Sequence, residues 1–201
     1  KGNITLSSFD MGTLTKEPSL GEVSANLRID GRGFTQKTVD TGLSGLISSF
    51  SFQGYDYKNI TLQGALKDPV FNGDLSIDDP NVQLDFKGLV DVSKSFNQYD
   101  FQADVHFAEL NKLQLVARDS ISVFAGKFVV DMDGTTIDDI VGSFSFQQTF
   151  YQNQDDDFYF DDFKIASSFE DQKRIIDINS PDICNGTISG NFLIKDISNL
   201  F

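Results

Sequence analysis

Cysteine, histidine and tryptophan are almost missing from this chain of 201 residues, which has one Cys, one His and no Trp. The lone Cys184 excludes an intramolecular disulfide and every multi-cysteine metal site. Positive charge is scarce too: 16 Lys and Arg stand against 30 Asp and Glu, a net charge of −14. Nothing here could neutralise a row of phosphates, so nucleic acid is excluded as a partner, and a polybasic grip on anionic lipid heads goes with it. No uncharged apolar run approaches the roughly 18 residues that a spanning helix requires. Glutamate occurs four times, at 17, 22, 109 and 170, so Asp supplies the other 26 acids. Asp forms turns and is a poor helix former, whereas Glu favours helix. That imbalance argues against helices.

What is present points to strands. Hydrophobic residues make up 39% of the chain, too many for disorder, and the length can bury a core in one large domain or two small ones. Phe contributes 20 of the aromatic residues and Tyr 5; Phe is at roughly twice its usual frequency and favours a pleated, half-buried surface. Apolar and polar residues alternate from end to end. The runs are Val23, Ala25, Leu27, Ile29; then Val82, Leu84, Phe86, Gly88, Val90, Val92; then Tyr99, Phe101, Ala103, Val105, Phe107. Ile140, Gly142, Phe144, Phe146 and Ile188, Gly190, Phe192, Ile194 follow. Period two with one apolar face marks antiparallel strands with one solvated side. The class is all-β.

Turn signals divide these runs at intervals of roughly 8–15 residues, as in a meander. They are Asp30-Gly31, Asp68-Pro69, Asn72-Gly73, Asp79-Pro80-Asn81, Asp133-Gly134 and Asn185-Gly186. Only Ala108 to Leu115 has a faint helical spacing. A weak internal repeat relates residues 55–92 to 158–195. Tyr55-x-Tyr57-x-x-Ile60-x-Leu62 matches Phe158-x-Phe160-x-x-Phe163-x-Ile165, and Asp79-Pro80-Asn81 matches Ser180-Pro181-Asp182. In both copies the apolar parity flips mid-strand, which a one-residue bulge explains.

Catalytic and metal motifs are sparse. His106 sits on the polar parity of its strand beside Asp104, without the Gly-x-Ser-x-Gly elbow of a serine hydrolase, and reads as an exposed strand histidine. Asp155, Asp156, Asp157, Asp161 and Asp162 suit calcium by chemistry, yet the EF-hand spacing is absent, and Asp131-x-Asp133-Gly134 lacks the later Glu. A solvated, Asp-rich hairpin loop is the simpler reading. Cys184 has no nearby His and reads as a buried or incidental thiol. Gly31-Arg32-Gly33 is too short for a phosphate loop. Asn3, Asn59 and Asn185 each open a short glycosylation pattern that recurs by chance. No enzyme, cofactor or metal is expected. The Phe-rich parity remains, either as the core of a two-sheet sandwich or as an open apolar face that holds acyl chains.

The block Gly54-Tyr55-Asp56-Tyr57-Lys58-Asn59-Ile60-Thr61-Leu62, continued by Phe71-Asn72-Gly73 and Asp79-Pro80-Asn81, resembles the TamB proteins of Bacteroidetes, within the AsmA-like group. The likeness extends to Gly21-Glu22-Val23-Ser24, Asp138-Asp139-Ile140-Val141-Gly142 and Gly186-Thr187-Ile188-Ser189-Gly190, nearly the whole chain. The resemblance implies one continuous β-taco over residues 1–201, a long curved sheet with an apolar groove, taken from inside a longer protein. It implies a periplasmic place in a Gram-negative envelope, an inner-membrane anchor elsewhere in the parent protein, phospholipid as cargo, and a TamA-type outer-membrane partner. Asp119-Ser120-Ile121 resembles a short O-glycosylation acceptor of the same envelope. The groove is expected to be lined by Val82, Leu84, Phe86, Phe101, Val105, Phe144, Phe146, Phe163, Ile188 and Phe192. Rival expectations are a closed β-sandwich or solenoid serving as a structural or adhesin-like module, and a calcium- or carbohydrate-binding β module.

Overall fold

The computed structural model describes residues 1–32, 40–67, 70–91 and 97–199, with the backbone alone at 15 and 197–199. The alternating runs become twelve strands: β1 (Gly2–Asp10), β2 (Leu20–Arg32), β3 (Asp40–Phe52), β4 (Tyr55–Lys67), β5 (Val70–Asp79) and β6 (Val82–Asp91) in the first half. The second half supplies β7 (Gln98–Glu109), β8 (Ser122–Asp133), β9 (Val141–Asn153), β10 (Asp157–Glu170), β11 (Lys173–Asn179) and β12 (Asn185–Gly190). All twelve join one antiparallel sheet in chain order, with no crossover. The protein is all-β, a single open sheet. A five-residue helix α1 (Met11–Thr15) links β1 to β2, capped where Asp10 accepts the Thr13 N–H at 2.8 Å. A 3-10 segment, Ile194–Asn199, follows β12.

Register turns the alternation into a continuous surface. One row of paired residues runs Gly2, Ile29, Leu43, Gly64, Gly73, Gly88, Phe101, Val130, Phe144, Ile165, Ile178, Gly186 across every strand. The adjoining row runs Ile4, Leu27, Gly45, Leu62, Leu75, Phe86, Ala103, Phe128, Phe146, Phe163 from β1 to β10. A slip of one residue on any strand would carry its apolar set to the other face. The parity flips are local irregularities. On β4 the flip falls at Asn59, which is left-handed at φ 51°. Between β9 and β10 the left-handed residue is Gln148, at φ 48°. The two repeat blocks occupy β4–β6 and β10–β12. Their equivalent residues at the strand end and the turn, Asp79 and Ser180, are both buried; Asp79 accepts the Lys58 N–H at 2.9 Å and Ser180 Oγ donates to the Asp162 carbonyl at 2.7 Å.

Several sequence expectations are corrected. Asp30-Gly31 and Asn72-Gly73 are not turns: both lie inside ladders, Gly31 opposite Thr41 and Gly73 between Gly64 and Gly88. At Gly73 the strands come so close that a Cβ would stand 2.4 Å from the Gly64 Cα, so glycine serves the sheet rather than a turn. Asn185-Gly186 opens β12 instead of preceding it. The run Ile188–Ile194 is strand only to Gly190, and Phe192 lies beyond it. The turn Asp68-Pro69 and the residues Val92 and Gly33 fall outside the described residues. Ala108–Leu115 is no helix: β7 ends at Glu109, one turn closes from the Leu113 N–H to the Glu109 carbonyl at 3.0 Å, and Gln114 turns away at φ 61°.

Candidate functional site

The apolar face is concave. Tyr57, Ile77, Leu84, Val105, Phe128 and Phe146, one from each of β4 to β9, line a single space of about 440 Å³. Toward β10 a second space of about 740 Å³ is lined by Phe124, Tyr151, Phe158 and Phe160, with Arg118, Asp157 and Asp182 among its polar residues. Phenylalanine rings connect the floor. Phe71, Phe86 and Phe101 are spaced at 6.3 and 5.1 Å between centroids, and Phe124, Phe128 and Phe146 at 5.2 and 4.7 Å.

No second sheet covers this trough among the described residues. The accessible surface is 12600 Å², against about 9400 Å² for a compact chain of this mass. A sandwich would have buried that excess, so the expectation of a closed two-sheet core fails. Of the residues assigned to the groove, Val82 and Val105 are buried, while Leu84, Phe86, Phe101, Phe144, Phe146 and Phe163 are half-buried on the concave side. Ile188 lies on the same face of the edge strand, 38% exposed. Phe192 sits instead in a separate cavity with Phe169 and Arg174.

The β7–β8 connection supplies what the alternation could not reveal. Residues 110–121 form a strap along one rim of the trough. Leu113 is buried against Val82, Val105 and Ala108, beside the half-buried Leu110. One end of the strap reaches the β3–β4 turn, where Gln114 Nε2 donates to the Gly54 carbonyl at 3.1 Å. The other end is tied to β9 and its turn: Tyr151 donates to Asp119 at 2.8 Å and the Ser120 N–H to Gln154 at 3.1 Å. Hydrogen bonds from Arg118, Tyr151 and the Gln154 amide hold the Asp119 carboxyl below its ordinary pKa. Leu110-x-x-Leu113-x-Leu115 was the available signal, but it has neither strand nor helix period. Phe124 and Phe128 were obscured because β8 carries apolar residues on both faces.

Thr149 Oγ1, beside the second space, is buried without a hydrogen-bond partner, whereas other polar groups near the trough are occupied. Tyr55 donates its hydroxyl to Asp79, which also accepts the Asn81 N–H at 2.8 Å. Burial, then the Asp79 carboxylate, push the Tyr55 hydroxyl up to about 12. On the outer face His106 contacts Asp85 at 3.0 Å and Asp104 at 3.7 Å. The bond to Asp85 raises its pKa, and Asp85 is lowered in turn by His106 and Ser76. In the acidic turn Asn153 Oδ1 accepts the Asp155 and Asp156 N–H groups, both at 2.8 Å. Among the described residues no three of His, Cys, Asp or Glu converge as metal ligands. Cys184 is exposed rather than buried. Compared with family models, curated proteins and solved structures, the chain matches none.

Proposed function

We propose that this chain is a segment of a bridge-like lipid-transfer protein, carrying phospholipid acyl chains along the concave face of its sheet. The observation that carries the reading is a largely apolar face, paired strand by strand from β1 to β12, with no second sheet upon it among the described residues. Twelve strands at about 4.8 Å spacing give a path of about 50 Å. Each methylene that leaves water for such a path gains roughly 0.8 kcal/mol, so hold depends on continuity rather than on a specific polar contact. The acidic exterior keeps an uncovered apolar face soluble. The resemblance to TamB-type proteins supports a periplasmic setting between inner and outer membranes, with a TamA-type partner docking on other parts of the parent protein.

Native mass spectrometry of the segment in mild detergent, paired with lipid extraction, tests this. Phospholipid should be retained at defined stoichiometry, and Phe86→Asp or Phe144→Asp should abolish retention. Gln83→Asp, on the exposed face, should leave it intact. Retention by all three variants would remove the groove assignment.

A further inference from the structure

Two charged side chains lie on the apolar parity of the described strands, Asp79 and Arg174. Both Asp79 oxygens are filled by neutral donors, the Tyr55 hydroxyl and the Lys58 and Asn81 backbone N–H groups. Arg174 keeps a buried donor, Nε, unfilled. It stands opposite Phe169 and Gly190, in parity with Ile176 and Ile178, and is 1% exposed. Nη1 donates to the Ile140 carbonyl at 3.0 Å and to Ser167 Oγ at 2.5 Å, Nη2 donates to the Asp138 carbonyl, and the guanidinium lies 4.3 Å from the Phe169 centroid. Each of these partners is neutral. Among the described residues no carboxylate pairs with Arg174, and its Nε is buried without an acceptor. The Asp138 carboxylate is occupied by Lys195, at 3.4 Å from Nζ and 3.2 Å from the backbone N–H.

A guanidinium shielded from water and without a counter-charge is costly unless something supplies one. Beside it opens a cavity of about 470 Å³, lined by Arg174, Lys173, Asp138, Asp171, Phe169 and Phe192 among others. On its wall Phe169 keeps the apolar parity of Ile165 and Phe163 on β10, and the Arg174 charge beside it is little screened at that depth. We propose that this cavity takes an oxyanion as the counter-ion of Arg174: the phosphate of an amphiphile whose chains lie in the trough. The inference rests on the lipid-carrier reading and names the head-group chemistry within it. A phosphate here meets Arg174 and Lys173, while Asp171 on the rim repels a second negative charge and suits an ammonium. The cavity therefore favours a zwitterionic phospholipid over one with a net negative head.

The test compares retention of dioleoyl phosphatidylethanolamine, dioleoyl phosphatidylglycerol and dioleoylglycerol by the folded chain and its Arg174→Gln and Arg174→Lys variants. Wild type should hold the phosphatidylethanolamine about tenfold better than the diacylglycerol, and better than the phosphatidylglycerol, as a charge-assisted contact provides. Arg174→Gln should erase the preference while leaving diacylglycerol retention unchanged, and Arg174→Lys should restore part of it. Equal retention of phospholipid and diacylglycerol, or a preference that survives Arg174→Gln, overturns the site. If Arg174→Gln fails to fold, the exposed Lys173→Gln decides: a weakened preference supports the site and an unchanged one overturns it. If no lipid is retained, the carrier reading fails and inorganic phosphate judges the cavity by itself. A rise in Tm with phosphate that needs Arg174 keeps an oxyanion site for free phosphate, and no rise overturns it.

Discussion

Leu113 is 2% exposed although it belongs to a connection between strands. It is anchored from above on Val82, Val105 and Ala108, which would otherwise be open floor. Truncation to Ala removes buried carbons and leaves a space that a rim strap can only partly close. Leu113→Ala should cost about 2 kcal/mol, at the low end for a buried leucine, read as a lower urea midpoint at constant m. No change in midpoint would mean that the strap rides on the trough without packing into it. Its place was not legible in the sequence, because a loop's fate is decided by contacts far away in the chain, here Gly54 on one side and Gln154 on the other. Arg174 was hidden for a related reason. A charged residue at the start of a strand reads as solvent-facing until register places it opposite Phe169.

At the scale of the strand, most of the fold was readable. Alternation located the strands and their inward parity. The flip in Tyr55–Leu62 falls at the left-handed Asn59, and that in Phe158–Ile165 lies across from the left-handed Gln148 of β9. The β3–β4 and β9–β10 ladders both keep register there, so the expected one-residue bulge is not what makes the flips. Other errors came from glycine. Asp-Gly and Asn-Gly mark turns in isolation, yet the same residue is required where two strands of a curved sheet approach closely. Gly88 shows the requirement plainly: φ is 146°, and an added Cβ would stand 2.3 Å from the Asp100 carbonyl oxygen and 2.5 Å from the Phe101 Cα. Gly88→Ala should therefore destabilise the sheet by about 1–3 kcal/mol, measured as a shift in denaturant midpoint. A neutral Gly88→Ala would show that β6 and β7 can separate there without loss.

For the whole molecule, the balance is between an exterior that carries −14 and an apolar face left without a second layer. Hydrophobic burial ordinarily drives a sheet to find a partner, and here the partner is absent from the described residues. The sequence could not choose between a closed sandwich and an open trough, because both write the same alternation. Surface area makes the choice, roughly a third above that of a compact chain. A diazirine-bearing phosphatidylcholine, loaded into the folded protein, irradiated and mapped by peptide mass spectrometry, tests the account most directly. The prediction is crosslinks at Leu84, Phe86, Phe101, Phe128, Phe144 and Phe146, with none at the outward Gln83, Asp85 or His106. Crosslinks scattered over both faces, or confined to the outer one, would contradict the trough as the path of the acyl chain.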